Sequence, residues 1–85
     1  MKLADTVEMM NSSDYKERFK AEYAQLVIRF NGLNNILKKW DDGNLEFKPT
    51  CPRSTYDLQI DAMSKYIAVL EARAVIENVN LEDMR

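Results

Sequence analysis

One apolar stripe constrains the fold of this chain more than any other feature of the sequence. Between residues 19 and 40, large apolar side chains recur at alternating intervals of four and three: Phe19, Tyr23, Leu26, Phe30, Leu33, Leu37 and Trp40. A helix places residues with this spacing on one face, whereas a strand alternates its faces at every residue. The stripe therefore predicts a long amphipathic helix and excludes a strand in this region.

A second stripe with the same spacing follows further along the chain. It consists of Tyr56, Ile60, Met63, Ile67, Leu70 and Ala74. Between the stripes, Gly43 favours a helix end, and Pro49 and Pro52 forbid helix continuation. Two helices, each about 38 Å long and joined by a short connector, predict an antiparallel hairpin. The predicted segments are a helix over 14–41, a linker over 42–53 and a helix over 54–77.

The ends of the helices carry weaker signals. Ser12, Ser13 or Asp14 can cap the first helix, and the run that starts at Ser54 resembles a capping box, although Pro52 could instead lie in the first turn. Residues 1–13 are interpreted as a short helix or a docking arm. The hairpin domain is expected to span 14–81, with an extended segment from Val79 and a C-terminal tail over 82–85.

Further apolar residues lie beside the two stripes. Val27 and Ile28 widen the first, and Tyr66, Val69 and Ile76 widen the second. One partner helix does not cover so wide a band, and a chain of 85 residues supplies a core worth only about 3–5 kcal/mol. We therefore expect an all-α hairpin that assembles into a homo-oligomeric helical bundle. The alternative is that the N-terminal arm docks over the band.

Composition argues for binding over catalysis. The chain has no histidine and one cysteine, Cys51, so the usual zinc patterns, a disulfide and a histidine-activated nucleophile are all excluded. No catalytic residue, metal or cofactor is expected, and Cys51 is interpreted as a buried residue that seats the linker. No apolar run of membrane-spanning length and no signal peptide is present, which predicts a cytoplasmic protein without a membrane partner.

Charge is distributed unevenly. Residues 14–39 carry six basic and three acidic side chains, whereas residues 41–85 carry five basic and nine acidic ones. Duplex nucleic acid needs many unopposed basic contacts and is therefore not expected as a partner. A small anionic ligand, held by a few local cations, fits this distribution.

Three groups of residues are candidates for binding such a ligand. The loop end combines cations with aromatic rings, which suits a nucleotide, although plain loop packing explains the same residues. The start of the first helix offers a second basic and aromatic group, and an asparagine cluster around Gly32 offers amides or a register-setting contact between subunits. The candidate ligand-binding residues are Tyr15, Arg18, Asn31, Lys38, Lys39, Trp40, Arg53 and Tyr56.

The stretch from Glu17 to Leu81 resembles a family of short uncharacterised helical proteins from crAss-like and other bacteriophages. The resemblance lies in the helix opening that starts at Lys16, the linker Phe47-Lys48-Pro49-Thr50-Cys51-Pro52, and the run Leu58-Gln59-Ile60-Asp61-Ala62-Met63 followed by Tyr66, Leu70 and Arg73. It implies a phage-encoded helical hairpin. In architecture the chain is also similar to the hairpin sponges with which phages sequester the nucleotide messengers of the CBASS and Thoeris immune systems.

These resemblances imply a function. The expected protein is a phage anti-defence protein in the host bacterial cytoplasm. It would bind and sequester a cyclic oligonucleotide or a cyclic ADP-ribose isomer without cleaving it. The alternative function is a small helical adaptor that inhibits a host or phage protein through its apolar helix face.

Overall fold

A computed structural model describes residues 1–84 of the chain, so that Arg85, the last residue of the predicted tail, lies outside the described residues. Over residues 1–84 the chain is helical and contains no strand, which confirms the all-α prediction. The elements are a 3₁₀ helix over Leu3–Thr6, α1 over Val7–Met10, α2 over Tyr15–Asp41, α3 over Arg53–Ile76 and a 3₁₀ helix over Glu82–Met84.

Helix α2 starts and ends through local signals. Asp14 is the N-cap, and its Oδ1 accepts a hydrogen bond from the backbone N–H of Lys16 at 3.0 Å. At the other end Gly43 takes a left-handed conformation with φ 77°. The N–H of Asn44 then reaches the carbonyl of Lys39 at 2.8 Å. This arrangement is a Schellman motif, which satisfies carbonyls that the helix leaves unpaired.

Helix α3 begins without the predicted capping box. Its N-cap is Pro52, which makes no side-chain cap bond, and Ser54 already lies inside the helix. The proline fixes its own φ and so starts the helix earlier than the serine would. At its other end α3 closes with a second Schellman motif, in which Asn78 has φ 58° and the N–H of Val79 bonds to the carbonyl of Ala74 at 2.8 Å.

The two helices pack through the predicted stripes, but they do so unevenly. Phe19, Tyr23, Leu26, Leu70 and Ala74 are buried in one cluster. Further toward the connecting loop, the stripe residues Phe30, Leu33, Ile60 and Met63 are only half-buried. We call the part made of residues 15–26 and 70–84 the clasped end, and the part made of residues 36–56 the loop end. The core therefore lies mainly at the clasped end.

The segment after α3 has no regular secondary structure over residues 79–81, and it packs in the core. Val79 and Leu81 are 8% and 4% exposed, and they join the cluster of Phe19 and Leu70. The left-handed turn at Asn78 reverses the chain direction and brings these side chains back onto the helices. Met84, in the final 3₁₀ helix, packs against the same cluster.

The N-terminal arm docks on α2. The Thr6 side chain is fully buried, donates to the Leu3 carbonyl at 2.7 Å and accepts from Gln25 Nε2 at 2.9 Å. Ala21 and Ala24, on the side of α2 away from its stripe, are also fully buried. The arm therefore packs on α2 and makes no contact with α3 in the described residues. The outer face of α3 stays uncovered, with Ile76 82% exposed.

The hairpin is elongated, with principal extents of 43 × 24 × 19 Å. Its radius of gyration is 15.0 Å, against about 12 Å for a compact domain of this length. Among the helices in residues 1–84, none combines the length and the apolarity that crossing a membrane requires.

Candidate ligand-binding site

Two adjacent hollows open at the loop end, and the Phe47 ring lines both of them. The first has a volume of about 270 Å³ and is lined by Trp40, Gly43, Leu45, Phe47, Lys48 and Pro49. The second has a volume of about 410 Å³ and is lined by Ile36, Lys39, Asn44, Leu45, Glu46 and Phe47. Phe47 therefore stands between two concave surfaces, each of which also holds a lysine.

The local sequence explains why an aromatic ring is exposed here. Gly43 ends α2, and the residues before Pro49 and Pro52 are restricted toward extended backbone, so the linker does not fold into a helix that could bury Phe47. As a result the ring is 59% exposed. Phe47 therefore lies outside the core cluster of Phe19 and Leu70.

The charges of the two hollows differ. Lys48 is the charged residue that lines the first hollow, whereas Lys39 and Glu46 line the second and offset each other. Within residues 1–84, neither Lys39 nor Lys48 takes part in an ion pair. The first hollow is therefore the better site for a phosphate group, and the second adds the Asn44 amide as a hydrogen-bonding group.

Arg53 forms ion pairs with two carboxylates at the loop end. Its Nε and Nη2 each donate to one oxygen of Asp41 at 3.1 Å, and its Nη1 donates to Asp57 at 2.6 Å. These bonds lower the pKa of the Asp41 carboxyl and raise that of the guanidinium. Two carboxylates neutralise Arg53, which links the end of α2 to the start of α3 and is poorly available to an anionic ligand.

Trp40 and Tyr56 pack against each other at the loop end. Their rings meet edge to face, with centroids 5.9 Å apart. Burial, together with a hydrogen bond to Cys51, raises the pKa of the Tyr56 hydroxyl. Trp40 also lines the first hollow, whereas Tyr56 does not. Cys51 itself is exposed, contrary to the buried role expected from the sequence, because the linker does not fold over it.

The structure places Tyr15 and Arg18 in a network at the clasped end. The Tyr15 hydroxyl donates to Glu77 at 2.7 Å and accepts from Arg73 at 2.5 Å, while Arg73 Nε donates to Glu77 at 2.9 Å. The bond to Glu77 raises the pKa of Tyr15, and the bonds from Tyr15 and Arg73 lower the pKa of Glu77. Arg18 donates to the Ser12 carbonyl at 2.8 Å. The bonds of Tyr15 to Arg73 and Glu77 join the start of α2 to the end of α3.

Arg73 and Glu77 are the partners of Tyr15 in this network, and neither was among the candidate residues from the sequence. Arg73 also stacks on the Phe19 ring, with its guanidinium carbon 4.9 Å from the ring centroid. The spacing of four residues between Arg73 and Glu77 was a visible signal of an ion pair on one helix face. Their contact with Tyr15 was not visible, because it joins positions about sixty residues apart.

The asparagine cluster and Lys38 stay apart from the hollows. Asn31, Gly32 and Asn35 are exposed on α2, and a side chain at Gly32 would meet nothing within 4 Å in the described residues. Lys38 is exposed but lines neither hollow. Of the candidate residues, the loop end thus brings together Lys39, Trp40 and Tyr56, and it adds Phe47 and Lys48 to them.

The described residues contain no candidate metal site. Among residues 1–84, no three side chains of histidine, cysteine, aspartate or glutamate come together in a group that could hold a metal ion. The candidate site is instead built from aromatic rings, lysines and backbone turns. Such groups can hold a ligand by stacking and charge.

Fold and site define a small helical-hairpin protein with an aromatic and basic surface at its loop. A family model described as Sequestin matches residues 13–76, most of the chain, and the chain belongs to the Sequestin family. The name of the family suggests the sequestration of a ligand, and hence binding rather than catalysis. No curated protein and no solved structure matches the chain significantly.

Proposed function

We propose that this protein sequesters a nucleotide-type immune messenger, either a cyclic oligonucleotide or a cyclic ADP-ribose isomer, and does not cleave it. It would act as a phage anti-defence protein in the cytoplasm of a bacterial host. The family name supports sequestration. The ligand class is proposed from the chemistry of the loop end, together with the resemblance to phage hairpin sponges.

The observation that carries the proposal is the exposed Phe47 ring between two hollows that each hold a lysine. A nucleobase stacks on an aromatic face, and a phosphate binds a nearby cation. Trp40 supplies a second aromatic surface in the hollow that also contains Lys48. A ligand with a base over Phe47 and a phosphate at Lys48 would use both features together.

Sequestration works by mass action alone. The protein must be present in excess of the messenger and must bind it below the concentration at which the messenger signals. A dissociation constant near 1 nM corresponds to about −12 kcal/mol of binding free energy. No proton transfer or nucleophile is required, which agrees with a site made of rings and lysines.

Isothermal titration calorimetry with the full chain tests the ligand class. The panel comprises cyclic dinucleotides, cyclic trinucleotides and cyclic ADP-ribose isomers, with the linear nucleotides as a comparison. We expect tight binding of at least one cyclic ligand, which is recovered intact after the protein is denatured. Recovery of a cleaved ligand, or no heat from any nucleotide, would overturn the proposal; the second result would favour the adaptor function.

Variants locate the binding site. Phe47→Ala removes the stacking surface and should weaken binding by about tenfold to a hundredfold, in keeping with the 1–3 kcal/mol of one stacked base. Lys48→Glu reverses the charge of the first hollow and should also weaken binding. Arg29→Glu makes the same charge change ten residues before Lys39, on an exposed part of α2 away from both hollows, and should leave binding unchanged. Equal losses in all three variants would contradict a site at the loop end.

A further inference from the structure

Helix α3 carries a second apolar stripe on the face opposite to α2. Its positions step by four, three, four, three and four, as in the stripes that form the hairpin, and they are Leu58, Ala62, Lys65, Val69, Ala72 and Ile76. At 100° per residue these positions lie about 160° around the helix from those that face α2. Five of the six are apolar, so this face has the pattern of a coiled-coil seam without a partner helix in the hairpin.

This outer stripe is open to solvent. Leu58 is 74% exposed, Val69 55% and Ile76 82%. The accessible surface of the chain is 6036 Å², whereas a folded monomer of 9.9 kDa exposes about 5200 Å². The excess of about 800 Å² equals the area that each partner loses in a protein interface of standard size. The elongated shape of the hairpin accounts for part of this excess, and the exposed outer stripe contributes to it.

The order of residues in the outer stripe is nearly the same in both directions. A large residue stands at each end, an alanine stands next to each large residue, and Lys65 and Val69 occupy the centre. In an antiparallel pair of α3 helices, Leu58 meets the partner's Ile76, and Ala62 meets the partner's Ala72. Lys65 then meets the partner's Val69. Such self-complementarity is what a two-fold symmetric interface requires.

The charges favour the antiparallel arrangement over the parallel one. In a parallel pair, Lys65 would face the same lysine of its partner across the seam, and like charges would repel. In the antiparallel pair the two lysines are instead offset by four residues, about 6 Å along the helices, and each keeps the ion pair that it makes with Asp61 at 3.0 Å in its own chain. Near the two-fold axis Ala68 would meet the partner's Ala68, and two alanines allow close approach.

We propose that the outer face of α3 binds a second copy of this chain as an antiparallel, two-fold symmetric dimer. The helix is already formed by the hairpin, so the dimer does not bear the entropy cost of helix nucleation. Because the interface has only six layers and a lysine among them, we expect a dissociation constant on the order of micromolar. The loop end of one copy then lies level with the clasped end of the other. This dimer goes beyond the proposed ligand binding and does not depend on it.

Sedimentation equilibrium of the full chain without nucleotide, from about 1 to about 300 µM, tests the dimer. We expect the mean mass to rise from that of the monomer to twice that value and to stop there. A monomer over the whole range, or a trimer, would overturn the proposal. Because no nucleotide is present, the result is independent of the ligand titrations.

Two substitutions of opposite charge at Val69 test the antiparallel register. Val69→Lys places a lysine against the partner's Lys65 and should weaken the dimer by tenfold or more, about 1.4 kcal/mol. Val69→Glu instead faces that lysine and should preserve the dimer. Circular dichroism verifies folding, and Val7→Lys, at a half-exposed valine of α1, serves as the matched control that should leave the dimer intact. If both Val69 variants dissociate, the antiparallel register is wrong; if neither does, the outer stripe is not the interface.

Discussion

The two ends of the hairpin use similar residues for different purposes. At the clasped end, Tyr15, Arg73 and Glu77 bond to one another, and Val79 and Leu81 fill the space between the helices. At the loop end, aromatic rings and cations are equally close in the sequence, yet Phe47 is exposed and Lys39 and Lys48 make no ion pair within residues 1–84.

The difference teaches that charge and aromaticity alone do not identify a binding site in this chain. A cation is available to a ligand only if the fold leaves it without a carboxylate partner. Arg53 illustrates the point at the loop end itself, since Asp41 and Asp57 neutralise it, whereas Lys48 has no such partner among the ion pairs of the described residues. The clasped end therefore stabilises the hairpin, and the loop end offers the surface.

The largest effect is expected from removing core volume at the clasped end. Leu70 is 1% exposed, so Leu70→Ala should lower the free energy of unfolding by about 2–5 kcal/mol. Ile60 belongs to the same stripe but is half-buried near the loop, so Ile60→Ala should cost about 1–2 kcal/mol. Urea unfolding followed by circular dichroism, at about 1 µM protein to avoid self-association, measures both. Equal losses would remove the distinction between the two ends.

A smaller effect tests the segment after α3. Val79→Ala should lower the free energy of unfolding by about 1–2 kcal/mol, because this side chain is 8% exposed within the core. Val75→Ala is the matched control four residues earlier; that valine is 83% exposed, and its loss should change stability by less than about 0.5 kcal/mol. The same urea titration applies. Indistinguishable variants would mean that Val79 does not pack in the core.

The smallest effect is a dependence of stability on pH. Folding lowers the pKa of Glu77 from its usual value of 4.5, first through the Tyr15 hydroxyl and then through Arg73. A carboxylate with a lowered pKa stabilises the fold above its unfolded pKa and loses that contribution as pH falls through the folded value. Thermal melts should therefore show Tm falling as pH drops below about 4.5.

Two variants connect this pH dependence to the clasped end. Glu77→Gln should be less stable than the native chain at pH 7 and should approach it at low pH. Tyr15→Phe removes the hydroxyl that contributes most to the lowered pKa of Glu77. It should also lower the stability at pH 7, by a smaller amount than Glu77→Gln. The corresponding change at the loop end is Asp41→Asn. The pH range over which Asp41 loses its stabilising effect should lie lower than that of Glu77, because the usual pKa of Asp41 is 3.8. Superimposable profiles for all variants would contradict this assignment.

Part of the candidate site could be predicted from the sequence. Trp40 and Lys39 follow from the end of the first stripe, and the prolines indicate an ordered linker that carries Phe47 and Lys48. The volume and lining of the hollows could not be predicted, because they depend on how residues 43–49 turn back beside α2. The pairing of the Arg53 guanidinium with Asp41 could not be predicted either, since Asp41 lies on the other side of the linker, at the end of α2.

The sequence by itself determined the helices and the faces on which their apolar residues lie. Heptad spacing, the Asp14 cap and the Gly43 terminator act over three or four residues, and such local effects can be read without a structure. Only the tertiary structure decided that Val79 and Leu81 belong to the core, that the arm docks on α2, and which cations have carboxylate partners. These outcomes depend on contacts between residues far apart in the chain, and their energies arise only when the helices pack.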